Sequence, residues 1–240
     1  MKLIEKIAKK QTDIWDNDAV TLAFLGDSVT QGCFECYMID ENNLETVFDY
    51  PSAYSTRLKQ MLNLLYPKVQ INVINSGISG DNAPHGASRL DKDVLRHDPD
   101  LVVVAFALND STRGEEGIED YANALKDIFE RVRDYGAECI FLTPNMMDID
   151  TSCHLKSDLF IKLSRQFADI QLGGTLTAYV ERAKRVAEEC GVPVCDVYSQ
   201  WLKMYRGGVN ITEILSNHLN HPIRELHYYT AMKLLETMFR

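Results

Sequence analysis

Four short segments of this 240-residue chain hold the polar side chains best suited to chemistry. In chain order they are Gly26-Asp27-Ser28, residues 75–82, residues 107–110 and residues 218–222. A serine hydroxyl is a poor nucleophile until a neutral imidazole within hydrogen-bond reach removes its proton, and the resulting imidazolium can later protonate a leaving group. Ser28 and a histidine of the last segment could therefore carry out acyl transfer, provided that the fold brings the segments together.

Five short apolar stretches predict the strands of a buried sheet. They span residues 21–25, 69–74, 101–106, 139–142 and 192–197. The third stretch is apolar at every position, which is typical of a strand covered on both faces. Segments with apolar residues three or four positions apart predict the helices. These segments span residues 54–66, 83–97, 118–135, 175–190 and 224–239.

Strand and helix alternate along the chain, so the predicted fold class is α/β, a three-layer α/β/α sandwich around a five-stranded parallel sheet. We predict one domain over residues 1–240, with residues 1–17 as an N-terminal helical extension. In a doubly wound sheet, ligands bind beyond the carboxyl ends of the strands. Three of the polar segments follow predicted strands and the fourth precedes the last predicted helix, so all four can converge on one site.

The four segments resemble, in the right order, the sequence blocks of the GDSL/SGNH hydrolases. The first block reads Phe24-Leu-Gly-Asp-Ser-Val-Thr-Gln-Gly32, and the resemblance extends over about residues 20–229. Each block is a weak signal alone, but four in order at predicted strand ends form a strong one. The resemblance implies the flavodoxin-like fold of that family and a serine esterase that needs no cofactor and no metal ion.

The resemblance also assigns roles to residues. Ser28 matches the nucleophile, and its backbone N–H matches one oxyanion donor. Gly80 matches the second donor, the Asn109 side chain matches the third, and His221 matches the base. Oxyanion donors stabilise the charge that develops on the carbonyl oxygen, and one such donor contributes about 3–4 kcal/mol in known cases.

Two positions depart from the family pattern. Ala107 stands where the third block usually has glycine, a change of one methyl that we expect to leave Asn109 in place. His218 stands where the family usually has the aspartate that orients the base. The N–H of His221 could instead be held by a backbone carbonyl, by another acidic residue or by neutral His218. We favour a Ser28–His221 dyad with a backbone or unidentified acceptor, and His218 remains the possible third member.

Every residue of the site also has a structural interpretation. Ser28 could be a helix N-cap, Gly80 a turn residue with positive φ, and Asn109 an Asx-turn residue. The joint occurrence of the blocks favours the functional interpretation over these. Asp27 and Asp81 are interpreted as structural, since each lies next to a site residue and could bind turn amides. The same interpretation applies to Asn75 and Arg89.

Composition limits the partners. The net charge of -10 argues against nucleic acid or an anionic membrane as a partner, because both favour clustered Lys and Arg. The N-terminal segment lacks an uninterrupted apolar core, and no apolar run approaches the roughly 20 residues that span a bilayer, so we expect a cytoplasmic protein without a membrane partner. Cys33 and Cys36 form a C-x-x-C without a second pair and are interpreted as incidental thiols. A homo-oligomer is compatible with the sequence.

Two other functions are compatible with parts of the sequence. His218, His221 and His227 could be taken as ligands of a catalytic metal, but they lack the H-E-x-x-H arrangement. A degenerate binding module on the same fold is a second alternative. For the substrate we expect a small acyl group such as acetyl on a carbohydrate or other small alcohol, ahead of a lysophospholipase or thioesterase. The long connections at residues 33–51 and 145–173 are expected to form the rim of the site.

Overall fold

The structure, a computed structural model, describes residues 1–40 and 43–240. Within these residues, five strands form one parallel sheet. They are β1 (Val20–Gly26), β4 (Ile71–Gly77), β5 (Leu101–Ala105), β6 (Glu138–Leu142) and β7 (Val194–Cys195). The order across the sheet is β4-β1-β5-β6-β7, so β1 and β5 are central, and the chain reverses direction across the sheet after β4. This confirms the predicted α/β class with its five parallel strands.

Helices flank the sheet in two layers. The helices are α1 (Lys2–Thr12), α2 (Ser28–Gln31), α3 (Tyr54–Leu65), α4 (Ala83–Asp93), α5 (Ile118–Tyr135), α6 (Asp158–Leu172), α7 (Thr175–Glu189), α8 (Tyr198–Arg206) and α9 (Arg224–Met238). One layer packs α3 against α9, and the other packs α5 against both α4 and α7. In β5, residues 101–104 are fully buried between the two layers, in agreement with the uninterrupted apolar sequence of that strand.

The connection at residues 33–51, expected to form part of the rim of the site, contains an antiparallel hairpin of β2 (Cys33–Met38) and β3 (Leu44–Phe48). Residues 41 and 42 of that connection lie outside the described residues. The sequence does not predict this hairpin, because its strands, buried only at Cys33 and Phe34, mix polar and apolar residues without the continuous apolar run that marks the main sheet. Its position beside the carboxyl end of β1 makes it part of the site.

The last predicted strand is shorter than expected, and α8 was not predicted. Only Val194 and Cys195 pair with β6. The carboxylate of Asp196 accepts hydrogen bonds from the Ser199 N–H at 3.0 Å and the Ser199 hydroxyl at 2.7 Å. These bonds turn the chain into α8 directly after the strand, since an aspartate at this position satisfies the first free amides of a helix.

The second half of the connection at residues 145–173 is α6. Met146 and Met147 are buried in the main core. A smaller apolar cluster lies beside the hairpin and consists of Leu155, Phe160 and Leu219. Packing therefore accounts for these apolar residues of the connection without an acyl-chain groove.

Candidate active site

Ser28 lies just beyond the carboxyl end of β1. The strand ends at Gly26, and Ser28 is the first residue of α2. A Cβ at Gly26 would lie 2.1 Å from the Thr30 hydroxyl, so only glycine permits so tight a turn. The Asp27 carboxylate caps α2 by accepting a hydrogen bond from the Val29 N–H at 2.9 Å. Burial raises the pKa of Asp27 to about 7, although the Val29 N–H opposes the rise.

Ser28 and His221 lie in direct contact at the centre of the site. The Ser28 hydroxyl is 2.9 Å from Nε2 of His221, and Nδ1 of the same ring is 2.8 Å from the carbonyl oxygen of Phe34. A carbonyl can only accept a hydrogen bond, so Nδ1 carries the proton and Nε2 is free to accept from the serine. The histidine is therefore held in the tautomer that a general base requires.

The buried position of His221 keeps its ring neutral. Burial lowers the pKa of His221 to about 4, while the Phe34 carbonyl and the nearby Glu35 carboxylate oppose that shift. At neutral pH the imidazole is thus unprotonated and able to receive a proton from Ser28. Both residues are nearly closed to solvent, with 4% of Ser28 and 5% of His221 exposed.

The structure does not bring His218 to the His221 ring. Nδ1 of His218 lies 3.3 Å from the Thr212 carbonyl, and its ring stacks on that of His154 with centroids 5.1 Å apart. The backbone of His218 has a φ of 55°, in the left-handed region. The side chain therefore leaves the loop away from Ser28 and His221, and the Phe34 carbonyl lies where a group that orients the imidazole would be expected.

Asn217 shapes the loop that presents His221. Its side-chain oxygen accepts three backbone N–H bonds, from Leu219 at 3.0 Å, Asn220 at 2.9 Å and His221 at 2.9 Å. A single buried carboxamide thus satisfies three amides that the loop itself could not pair. Sequence reasoning missed this residue, although asparagine is a common organiser of tight loops.

Gly80 lies in the turn after β4. Its φ of 79° is a conformation that favours glycine, and the space beside its α carbon is open. Two contacts tie this turn to the serine segment: the Ile78 N–H donates to the Gly26 carbonyl at 3.1 Å, and the Ser79 N–H donates to the Gln31 side chain at 2.7 Å. In the described part of the chain, the Gly80 N–H has no acceptor, so it is available to a ligand.

Asn109 follows β5 and faces the same turn. Its side-chain nitrogen donates to the Asp81 carbonyl at 2.7 Å, and the residue is partly exposed. One amide hydrogen is used in that bond, which leaves the second for a ligand. Ala107 adopts a φ of 153°, a value that favours glycine, so the extra methyl is tolerated at a cost in backbone strain and Asn109 keeps its place.

A buried ion pair supports the glycine and asparagine segments. Nε and Nη2 of Arg89 lie 2.8 and 2.5 Å from one oxygen of Asp81, and Nη2 also donates to the Gly26 carbonyl at 3.1 Å. The other oxygen of Asp81 accepts from His85 at 2.6 Å. Asp81 and Arg89 thus link the ends of three segments, in agreement with their structural interpretation.

The three histidines considered as metal ligands do not converge. His227 accepts a hydrogen bond from the Tyr54 N–H at 3.2 Å through Nδ1, while His221 and His218 bond to Ser28 and to the Thr212 carbonyl. Within residues 1–40 and 43–240, no group of three or more His, Cys, Asp or Glu side chains is arranged to hold a metal ion. Over the same residues, no helix has both the length and the apolar character needed to cross a membrane.

Comparison with protein families supports the resemblance seen in the sequence. The model of the GDSL-like Lipase/Acylhydrolase family matches residues 24–227 of this chain. The match includes the segments that carry Ser28, Gly80, Asn109 and His221, and it covers well over half of the chain.

Two characterised relatives share part of the sequence. An acetylxylan esterase of Geobacillus stearothermophilus is 30% identical over 92 residues, which cover 38% of this chain and 40% of the relative. An arylesterase of Vibrio mimicus is 33% identical over 72 residues, which cover 30% of this chain and 36% of the relative. The matched part is thus less than half the length of either relative.

Solved structures show the same fold over most of the chain. A variant of an acetyl xylan esterase from Geobacillus stearothermophilus superposes with a TM-score of 0.67 at 20% identity and covers 91% of this chain and 94% of that one. A two-domain esterase active on acetylated mannans gives a TM-score of 0.67 at 19% identity, covering 99% of this chain and 52% of that one. At such identities these likenesses establish the fold.

Proposed function

Since this chain belongs to the GDSL-like Lipase/Acylhydrolase family, we propose that it is a serine esterase that hydrolyses carboxylic esters through an acyl-enzyme on Ser28. The observation that carries the proposal is the chain of contacts from the Ser28 hydroxyl to His221 and on to the Phe34 carbonyl, at 2.9 and 2.8 Å. It combines a nucleophile, a neutral base and an acceptor that fixes the tautomer of that base.

The reaction follows from these contacts. The Ser28 oxygen attacks the ester carbonyl carbon while its proton moves to Nε2 of His221. The imidazolium then donates that proton to the leaving alkoxide, so the alcohol departs and the acyl group stays on Ser28. A water molecule repeats the sequence in the second half, and the acid leaves with the serine restored. The Phe34 carbonyl holds the Nδ1–H throughout.

Three donors are proposed to stabilise the oxyanion in both halves: the N–H groups of Ser28 and Gly80 and the side-chain amide of Asn109. The Gly80 N–H has no acceptor among the described residues, and Asn109 has one amide hydrogen to spare. Donors held in place before the reaction stabilise the developing charge without reorganisation.

The proposed substrate carries a small acyl group, most simply acetyl, on a carbohydrate or another small alcohol. Support comes from the relatives, which include proteins named as an acetylxylan esterase and as an esterase active on acetylated mannans. Packing of the apolar residues near 145–173 in the core also argues against a long acyl groove there. Lysophospholipase or thioesterase activity and a degenerate binding module are the alternatives.

Location and assembly are further proposals. A cytoplasmic protein without nucleic acid or membrane partners fits the charge of -10 and the composition. Homo-oligomer formation is left to a measurement of the mass in solution.

Turnover of a series of esters tests the proposed function. Purified wild type, Ser28→Ala and His221→Ala are assayed with p-nitrophenyl acetate, butyrate and octanoate, and acetate release is measured from acetylated xylo-oligosaccharides. Wild type is expected to prefer acetyl, and both variants to lose about three or more orders of magnitude in kcat. Equal turnover by wild type and Ser28→Ala would contradict the esterase, and a preference for octanoate would favour a lysophospholipase.

A further inference from the structure

The Phe34 carbonyl is free to hold His221 because the β2–β3 hairpin contains a bulge. Cys33 pairs with Phe48, but Cys36 pairs with Thr46, so two residues of β2 oppose one residue of β3. A bulge leaves backbone groups out of the ladder and redirects the chain. The bulged residues are Phe34 and Glu35, and the freed Phe34 carbonyl points to Nδ1 of His221.

Arg224 binds the bulge and the segment that follows β3. Its Nη1 and Nη2 atoms donate to the two carboxylate oxygens of Glu35 at 2.6 and 3.1 Å. Its Nε donates to Asp49 at 2.7 Å, just beyond the end of β3. The Asp49 N–H donates to the Gly32 carbonyl at 2.9 Å, where α2 ends. The Arg224 guanidinium, forked between Glu35 and Asp49, thus joins both strands of the hairpin to the start of α9.

The same guanidinium also contacts the ring of the bulged residue. Its central carbon lies 4.3 Å from the centroid of the Phe34 ring, and the His227 ring packs against Phe34 with centroids 4.7 Å apart. The Phe34 side chain is fully buried. Side chain and backbone of Phe34 are therefore both fixed, the first by packing and the second by the ion pairs next to it.

From this geometry we infer that Arg224 is a positioning residue: with Glu35 and Asp49 it fixes the bulge so that the Phe34 carbonyl stays within hydrogen-bond reach of His221. The inference rests on the proposed esterase function. Arg224 lies three residues after His221, so one short segment carries both the base and the group that secures its acceptor. A backbone carbonyl is held only by the conformation of its own segment. The bonds from Arg224 to Glu35 and Asp49 hold the segment that carries the Phe34 carbonyl.

The ion pairs alone do not account for this arrangement. The side chains of Arg224, Glu35 and Asp49 are 34%, 39% and 26% exposed, and pairs this accessible contribute little to stability. A planar guanidinium that binds one carboxylate with two bonds, a second with one bond and an aromatic ring by contact is fixed in direction as well as in place. This rigidity would keep the Phe34 carbonyl at a constant distance from Nδ1 of His221.

The low-field proton resonance of the His221 Nδ1–H tests the inference directly. It is assigned by its loss in His221→Gln and followed in wild type, Arg224→Met and Arg224→Lys. Arg182→Met is the matched control, because Arg182 also binds one carboxylate, that of Glu119, with two bonds of 3.0 and 3.1 Å, and this pair does not involve the hairpin. The values of kcat and KM for p-nitrophenyl acetate are measured on the same samples.

We expect Arg224→Met to lose the protected resonance and to lower kcat by about 10- to 100-fold with KM within about twofold, since a small misplacement of a catalytic group is costly. Arg224→Lys recovers part of both, and Arg182→Met changes neither. A folded Arg224→Met that keeps both the resonance and kcat overturns the inference, and so does a wild type without the resonance.

Two further results keep the test decisive. If Arg224→Met does not fold, Glu35→Gln replaces it. This substitution keeps the volume of the side chain but removes its charge and one of the two oxygens that Arg224 binds. An unchanged resonance in that variant overturns the inference. If the wild type shows no esterase activity, the proposed function fails, and the resonance in the arginine variants still decides whether the fork holds the Phe34 carbonyl.

Discussion

Replacing Cys36 with aspartate places a carboxylate beside the imidazole that the proposed mechanism uses as a base. The Cys36 sulfur lies 3.9 Å from Nδ1 of His221, on the same side of the ring as the Phe34 carbonyl. The negative charge stabilises the imidazolium, so the pKa of His221 rises. Aspartate at position 36 would thus supply, from the hairpin, the charge that position 218 lacks.

The size of the rise follows from the separation. Two unit charges about 4 Å apart interact with about 4 kcal/mol at an effective dielectric constant of about 20, which equals roughly 3 pKa units. Cys36 is only partly buried, and solvent screens part of the interaction, so we expect a rise of about 2 units. The pKa of His221 would move from about 4 toward its ordinary value of 6.5.

The assay is the dependence of kcat/KM on pH, which reports the pKa of the free base. Hydrolysis of p-nitrophenyl acetate is followed at an isosbestic wavelength from about pH 4 to about pH 8. Wild type should keep its activity down to about pH 5, whereas Cys36→Asp should lose activity below about pH 6. Cys36→Asn is the uncharged control, and His218→Asp tests the family position. An acid limb that does not move in Cys36→Asp, or that moves equally in His218→Asp, refutes the reasoning.

Three other predictions concern the oxyanion donors and stability. Asn109→Ala should lower kcat by about 10²- to 10³-fold with little change in KM, because a donor to the transition state is lost; a change confined to KM in steady-state kinetics would argue against that role. Arg89→Met should lower the free energy of unfolding in urea by about 3–5 kcal/mol, because the Asp81 carboxylate is fully buried and loses its arginine partner. Arg113→Met, which removes an exposed pair, should leave the urea midpoint unchanged, and equal effects of the two substitutions would contradict the prediction. Burial lowers the pKa of His227 to about 3, so below pH 6.5 the unfolded chain binds a proton that the folded chain does not, and stability falls as pH falls through that window. His227→Gln should therefore lose less stability than wild type on acidification, by up to about 1.4 kcal/mol per pH unit in urea titrations; parallel pH profiles would refute this.

The sheet and most of the helices could be predicted because burial leaves a direct mark on the sequence. A strand covered on both faces must be apolar throughout, as in β5, and α5 begins and ends at the predicted residues 118 and 135. The rule that sites form at the carboxyl ends of parallel strands then brought Ser28, Gly80 and Asn109 to one edge. These predictions depend on local sequence patterns and on a general rule of the fold, and they need no knowledge of contacts between residues distant in sequence.

The acceptor for His221 could not be predicted, because a backbone carbonyl has no sequence signature. Any residue could provide it, and Phe34 does so only through the bulge that the β2–β3 register imposes. The role of Arg224 could not be predicted either, because an arginine at the start of a helix is common and its partners Glu35 and Asp49 lie about 180 residues away in the sequence. Sequence reasoning limited the acceptor to a short set of alternatives, and the fold selected one.

Covalent labelling tests the central claim most directly. Wild type and Ser28→Ala are treated with a fluorophosphonate, digested, and the modified residue is located by mass spectrometry. The account predicts one adduct on Ser28, formed in step with the loss of esterase activity, and no adduct in the variant. Esterase activity that persists in Ser28→Ala, or an adduct on another residue that inactivates the wild type, would contradict it.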